Sequence, residues 1–456
     1  MLRLVDRLRD AREQEDGFTI IEVMVAMTIF AIIAAGVAAG IVSSIYLTQD
    51  NRSREAALNL ATQEIDQVRS TKDIFSVTNT STPATVGGKS YTVTRTSNWI
   101  TSSGTDNACG AGDGQLAYKR VSVKVSWTNG TSSDARSVVM DTMVAPSTSV
   151  SSASSSTIVV AVNTASGGPN TGVSVAITPV SGGATSLSAQ PAVTDANGCT
   201  YALNVTPGSY KVAPTKSGNT DETLSASPSF VVTAAAGSVA SKTFLLDQPA
   251  TVNVQYAANA RAGSSPKLPS GIATTFLRGS TATPVTGTTT TVFPYSDGWA
   301  VMAGNYNAST CKNVNPLSWT TPTTTNLMVD SASAPVGIGA VPGTTSSVKV
   351  PMALIDVKLN GSDTVLTAVA TPGTTGSNDP GCTTSPATTY TFTGLNATTA
   401  TTIALPYGTF KFSEGTSATS LGSNTPVFAA SAGATNVNVS VSGRTVLFDP
   451  RTKAAS

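Results

Sequence analysis

Between Phe18 and Leu47 only one side chain is charged, the carboxylate of Glu22. A run of more than about 18 apolar residues is long enough to cross a bilayer as a helix. A lone acid in such a run is costly in hydrocarbon and implies a function and a cationic partner. Upstream lies an abrupt boundary: a polar stretch ends at Gly17 and the apolar run opens at Phe18, so Glu22 is the fifth residue past it. Further along, Gly36 and Gly40 form a G-x-x-x-G pair with Ser44 one step on. Small residues at that spacing let helices approach closely in a membrane. The chemistry on offer is a charge to be neutralised and a surface for neighbouring helices.

Elsewhere the composition excludes more than it proposes. The chain has no histidine, which removes Ser-His-Asp and Cys-His catalysis, histidine-ligated zinc and histidine pH switching. No motif pairs the scattered acidic residues as a sugar-active site would. The sequence therefore reads as a non-enzyme without cofactor or metal site. Four cysteines, Cys109, Cys199, Cys311 and Cys382, lie far apart and none forms a CxxC. They are candidates for disulfides, with all pairings open. Net charge is +1, so no overall field draws nucleic acid, and none is expected as a partner. Only 12% of residues are charged, about half the usual share. Ser, Thr, Asn and Gly must make up the polar surface, which suits extracellular β-rich modules.

The elements that position these groups follow from periodicity. Residues 18–72 read as one long helix, transmembrane in its first half (18–47). In its second half Leu58, Ala61, Ile65 and Val68 recur at spacings of three and four, with Arg54, Glu55, Glu64, Asp66 and Arg69 mostly on the other face. Arg3, Arg7, Arg9 and Arg12 keep the leader cytoplasmic. Residues 73–145 alternate as antiparallel strands, at Tyr91–Arg95, Tyr118–Trp127 and Ser137–Val144, with a hairpin turn at Asn129-Gly130. Residues 146–157 are a Ser/Thr linker.

Beyond the linker a weak repeat of about 100 residues marks modules of domain size at 158–248, 249–350 and 351–450. Asp195-Ala-Asn-Gly198, then Tyr201–Val205, then Pro207-Gly-Ser-Tyr210 is echoed by Ser296-Asp-Gly298 and Gly304-Asn-Tyr306, and by Pro406-Tyr-Gly408-Thr-Phe410. Glycine permits the turn at positive φ, and the aromatic residue seals a β-sandwich core. Asp195 could open a calcium loop, but the later acidic ligands are missing. Tyr256, Tyr295, Trp299, Trp319 and Tyr407 read as core or turn residues rather than an aromatic binding face. Arg451–Ser456 reads as a frayed end.

Gly17-Phe18-Thr-Ile-Ile-Glu22-Val-Met-Val-Ala-Met27 resembles the processing site of type IV prepilins and the related pseudopilins. That resemblance implies cleavage of the 1–17 leader between Gly17 and Phe18 by a prepilin peptidase, N-methylation of Phe18, and pairing of Glu22 with the amine of a neighbouring subunit. Asp16 stands where the family has Lys or Arg. The helix followed by Tyr91–Arg95 and Tyr118–Val144 resembles the headpiece of minor pilins and minor pseudopilins. The repeats resemble carboxypeptidase-regulatory-like and Cna-B-like β-sandwiches. Some Cna-B modules carry Lys–Asn bonds, for which only Lys358 is suitably placed.

The implied fold is an α+β pilin, a long helix packed on an antiparallel sheet, followed by all-β sandwich modules. The implied role is a minor pilin of a type IV pilus or pilus-like filament, its modules displayed for assembly or adhesion. A pseudopilin of a type II secretion or DNA-uptake system is the alternative. Implied partners are the peptidase, other pilin subunits, the inner or cytoplasmic membrane, and a host or surface ligand. The protein would be single-pass in the membrane before assembly and surface-exposed on a pilus afterwards, with its bulk extracytoplasmic.

Overall fold

The computed structural model describes residues 19–111, 115–128, 135–146, 154–320, 327–373, 378–429 and 438–453. The Asn129-Gly130 turn and most of the Ser/Thr linker lie outside them. The chain divides into two units, Met1–Val150 and Ser151–Ser456.

The first unit is organised by one continuous helix, α1 (Ile20–Ser70). At 51 residues it is about 77 Å long. Its stretch to Gln49 is exposed throughout. Beyond that, Ser53, Ala57, Ala61, Ile65 and Val68 are buried. Ala61, Ile65 and Val68 are buried as the periodicity predicts, and only the first position of the expected stripe differs. Leu58 is 40% exposed, and Ala57 takes its place. The small side chains at 53, 57 and 61 let the backbone lie close to the sheet.

That sheet has the order β1 (Thr80–Val86), β2 (Lys89–Thr101), β4 (Leu116–Thr128), β5 (Ala135–Val144), with the short β3 (Asp106–Asn107) on β2. All neighbours are antiparallel. Alternation sets the inner face: Tyr91 and Val93 from β2, and Val121, Val123, Val125 and Trp127 from β4, pack on the helix. Lys119 is fully buried; its ammonium donates to the Ile74 carbonyl at 3.3 Å and lies 5.2 Å from the Trp99 ring centre.

The second unit contains paired sheets. The first module has β11 (Val239–Leu245), β6 (Ser156–Asn163) and β8 (Cys199–Val205) in one sheet. Its other sheet is β10 (Phe230–Ala234), β9 (Gly208–Thr215) and β7 (Ser174–Ser181). One core joins them, with Ile158, Val160 and Val162 meeting Ile177, Tyr210 and Val212. β6 opens inside the segment expected to be linker: Ser156 and Thr157 are fully buried, and a strand there pairs on both edges.

The second module pairs the sheet β15 (Thr289–Val292), β12 (Ala250–Tyr256), β19 (Thr345–Val350) with β14 (Thr281–Thr286), β13 (Ala273–Arg278), β16 (Trp299–Ala303), β18 (Val336–Ile338). The third has β23 (Thr401–Leu405), β20 (Ala353–Lys358), β26 (Val427–Ala429) facing a larger sheet. The larger sheet runs β22 (Thr389–Thr393), β21 (Val365–Ala370), β24 (Gly408–Ser417), β28 (Thr445–Asp449), β27 (Asn438–Ser442), with β25 (Ser420–Leu421) on β24.

These two modules do not end at their sequence boundary. Met302, Cys311, Val314 and Trp319 pack into the core of the third module beside Tyr407, Phe410 and Phe448. Cys311 and Cys382 are joined in a disulfide. β29 (Arg451–Lys453) pairs with β17 (Leu327–Val329). The expected frayed end is therefore fixed from Arg451 to Lys453. Arg451 is 1% exposed, its Nε and Nη2 donate to Asp449 at 2.8 and 2.7 Å, and its guanidinium lies over Trp319. A buried charge keeps its place only when it is paired in this way.

Two glycines in the repeated turns are held by space as well as by φ. Gly198 has φ +74° and Gly298 +71°; a Cβ on either would run into a backbone carbonyl, of Val162 and of Ile338 respectively. We expect Gly198→Ala to destabilise the first module by about 2 kcal/mol in urea unfolding. Gly167→Ala shares the positive φ but meets nothing within 4 Å, and should cost less. Equal losses would mean that the carbonyl moves aside freely.

Candidate functional site: the amino end of the long helix

The site begins where the helix begins. Thr19 is the N-cap, in extended conformation. Its hydroxyl oxygen accepts from the Glu22 backbone N–H at 3.2 Å, and its carbonyl accepts from Val23 at 3.1 Å. Thr-x-x-Glu is the spacing of a capping box. It starts the helix immediately past Phe18 and puts the Glu22 carboxylate in the first turn, where the helix dipole favours negative charge. The cap is a residue that the reading of the sequence passed over, although the spacing alone signals it.

Among the described residues no side chain pairs with the Glu22 carboxylate. Gly17 and Phe18 lie outside the described residues, so the cut and the methylated terminus remain an expectation. Gly40 follows Glu22 by about five turns, on the same face and about 27 Å along the axis. A Cβ built on Gly36 or Gly40 meets nothing within 4 Å, so both sit on open surface. Among the described residues α1 is the only helix long and apolar enough to cross a membrane, and that portion has no burial within the chain. Its two threonine hydroxyls past the cap are satisfied within the helix. Thr28 donates to the Met24 and Val25 carbonyls at 2.7 and 2.9 Å, and Thr48 to Ser44 at 2.8 Å. Such bonds remove polar groups that hydrocarbon would leave unpaired.

The lower half of α1 is fixed to the sheet by polar locks as well as packing. Arg95 pairs with Glu64 at 2.6 Å, Arg69 donates to Thr142 at 3.0 and 3.2 Å, and Lys89 to Ser53 at 2.8 Å. Arg136 pairs with Asp50 where the helix meets the headpiece. Glu64 and Arg69 were expected on the solvent face; the sheet instead supplies partners on both flanks of the helix.

Among the described residues of the second unit nothing comparable assembles. Asp195 Oδ1 accepts from the backbone N–H of Asn197 and Cys199 at 2.8 and 2.9 Å, which makes it a turn residue. Lys358 is exposed. Tyr295, Trp299, Trp319 and Tyr407 are buried, and Tyr256 is half-buried. Burial, with the hydrogen bond to Glu222, pushes the Tyr295 hydroxyl up to about 12, so it stays protonated and donates to Glu222 at 2.8 Å. Arg278 stacks on the same ring and pairs with Asp297 inside the second module, while the Tyr295–Glu222 bond joins that module to the first. Asp379, raised above the usual carboxylate range by burial, receives the Thr409 hydroxyl and the Gly381 N–H beside the disulfide. Cys109 and Cys199 are both buried, and no cysteine is free.

Residues 14–38 match the prokaryotic N-terminal methylation motif. The match spans Gly17, Phe18 and Glu22. No curated protein matches the chain. Among solved structures, the Bacillus anthracis TIE protein aligns at 9% identity over 78% of this chain and 71% of its own, with a TM-score of 0.19. A Streptococcal ancillary pilin aligns at 14% identity over 50% and 74%, with a TM-score of 0.19. GBS52, the minor pilin of Streptococcus agalactiae, aligns at 11% identity over 43% and 95%, with a TM-score of 0.17. Superposition at that level carries no inference about role.

The cap makes a direct test. Thr19→Ala should loosen the first turn by about 1 kcal/mol. In detergent micelles, amide exchange at Glu22 should then speed up about fivefold, and Thr19→Ser should restore it. Unchanged exchange in the alanine variant would mean that the hydroxyl does not hold the helix end.

Proposed function

We propose that this chain is a minor pilin of a type IV pilus or pilus-like filament. A prepilin peptidase cuts between Gly17 and Phe18 and methylates the Phe18 amine. Glu22 then pairs with that amine on an adjoining copy. The observation that carries the reading is an acid without a partner, capped into the first turn of an open apolar helix, inside a methylation motif. An ammonium and a carboxylate in low dielectric attract strongly, and each is costly if left alone. Two open glycines on or near the Glu22 face leave room for neighbouring helices.

Before assembly the helix holds the chain in the inner or cytoplasmic membrane, with the sheets extracytoplasmic. The Cys311–Cys382 disulfide suits that side, because cytoplasmic thiols are kept reduced. The second unit, Ser151–Ser456, is much larger than the first. Carried on every subunit it would crowd a close-packed fibre, so a rare tip or priming position, with a role in assembly or adhesion, follows. A secretion or DNA-uptake pseudopilin would share the whole amino end.

Mass spectrometry of the mature protein should find N-methylated Phe18 at the amino terminus; an intact Met1 would overturn the reading. Glu22→Val should leave the precursor cut but enter filaments at a small fraction of the wild-type level. Incorporation equal to wild type would remove the pairing. Major-subunit abundance in purified filaments would remove the minor role.

A further inference from the structure

We propose that the Asp379–Pro380 peptide bond is a self-cleavage site: in mild acid the Asp379 carboxyl cuts its own chain there. The chain has two Asp-Pro pairs, in Asp379-Pro380-Gly381 and Asp449-Pro450-Arg451. Both are turned in the same way. Asp379 Oδ1 accepts from the Gly381 N–H at 2.8 Å, and Asp449 Oδ1 accepts from the Arg451 N–H at 2.9 Å. Such a turn closes a ring whose backbone side is the Asp–Pro peptide itself. Each carboxyl is therefore bent back over the bond that follows it.

What differs is the group on the other oxygen. Asp449 Oδ2 accepts from Arg451 Nη2 at 2.7 Å, and its Oδ1 also takes Nε at 2.8 Å. There both oxygens are occupied by a guanidinium. Asp379 Oδ2 instead meets the hydroxyl of the fully buried Thr409 at 2.5 Å. A hydroxyl can donate to a carboxylate or accept from a carboxylic acid, so this contact serves either form. Burial pushes the Asp379 carboxyl up, against the opposing bonds from Thr409, Gly381 and Asn313, so its neutral form persists toward milder pH. Charged side chains on the segments packed against it are Lys312, Lys411 and Glu414. The lysines are exposed, and Glu414 is bonded to Asn360.

The turn is anchored on both sides. Gly381 has φ +79°, and a Cβ there would strike the Pro372 carbonyl. The Gly381 carbonyl accepts from the Lys312 N–H at 3.0 Å, and the Cys382 N–H donates to Thr371 at 3.2 Å. Just upstream, Asn378 also stands at positive φ, +53°. Pinning of this kind keeps the carboxyl beside its target.

Carboxylates act as nucleophiles and form covalent intermediates. One Asp379 carboxyl oxygen adds to the Asp379 carbonyl carbon. The C–N bond to Pro380 breaks, and its electron pair stays on nitrogen, which takes the proton that the carboxyl gives up. The products are a cyclic anhydride and a free prolyl amine. Water then opens the anhydride and leaves Asp379 with a free α-carboxyl. Proline suits the leaving position because its nitrogen belongs to a tertiary amide and departs as a basic secondary amine. Asp379 is half-buried and Asn378 exposed, so water reaches the site.

The cut falls inside the loop closed by Cys311 and Cys382. Both pieces therefore stay joined until that bond is reduced. The inference goes beyond the filament reading, and its test does not depend on assembly.

Full-length protein in detergent micelles is held at about pH 4, near the ordinary carboxyl range, and sampled over time. Reducing gels should show two pieces appearing, and non-reducing gels one band. Mass spectrometry should find Pro380 at a new amino terminus. The Asp449–Pro450 bond should last about tenfold longer, and unfolding in guanidinium should erase that difference. Asp379→Ala should abolish the cut. Pro380→Ala keeps the carboxyl and should slow the cut severalfold; it stands in if Asp379→Ala does not fold. An uncut chain, equal loss of the two Asp–Pro bonds in the folded protein, or an unchanged rate in either variant would overturn the proposal.

Discussion

A carboxylate fixed in an apolar helix has to find a cation. Glu22 is held in place by the Thr19 cap and favoured by the dipole of the first turn, yet among the described residues it has no partner. The lower half of the same helix is packed and paired against the sheet. Alanines meet valines, and Asp50, Ser53, Glu64 and Arg69 all find partners on the sheet. One helix thus carries a finished half and an unfinished one, and the unfinished half is where the methylation motif falls.

How much of this was legible depended on how local the physics is. The helix, its apolar half and its acid are set by composition over a single segment, and they read directly from the chain. The headpiece strands were legible for the same reason, since alternation at Tyr118–Trp127 is a period-two signal. The sheet-facing row was read correctly at Ala61, Ile65 and Val68 and missed only at Leu58, which is more apolar than Ala57. Close approach of helix and sheet selected the smaller side chain. Glu64 and Arg69 looked solvent-facing because their partners, Arg95 and Thr142, lie a long way off in sequence.

The second unit was harder, because sandwich pairing is almost wholly non-local. The repeated glycine turns could be found, and Gly198 and Gly298 occupy matching tight corners. What could not be found was that Met302, Cys311, Val314 and Trp319 belong to the core of the following module, or that the chain returns at Arg451 to pair with Leu327–Val329. Arg451 looked like part of a charged tail; its burial depends on Asp449 and on the Trp319 ring.

That interleaving bears on how such a protein can be rearranged over evolutionary time. The first module has a core largely its own and could be duplicated, lost or exchanged by recombination at its borders. The next two share buried side chains, a covalent crosslink and a returning strand. A gene break between them would leave two half-cores, each with a naked apolar face. They are inherited together or not at all.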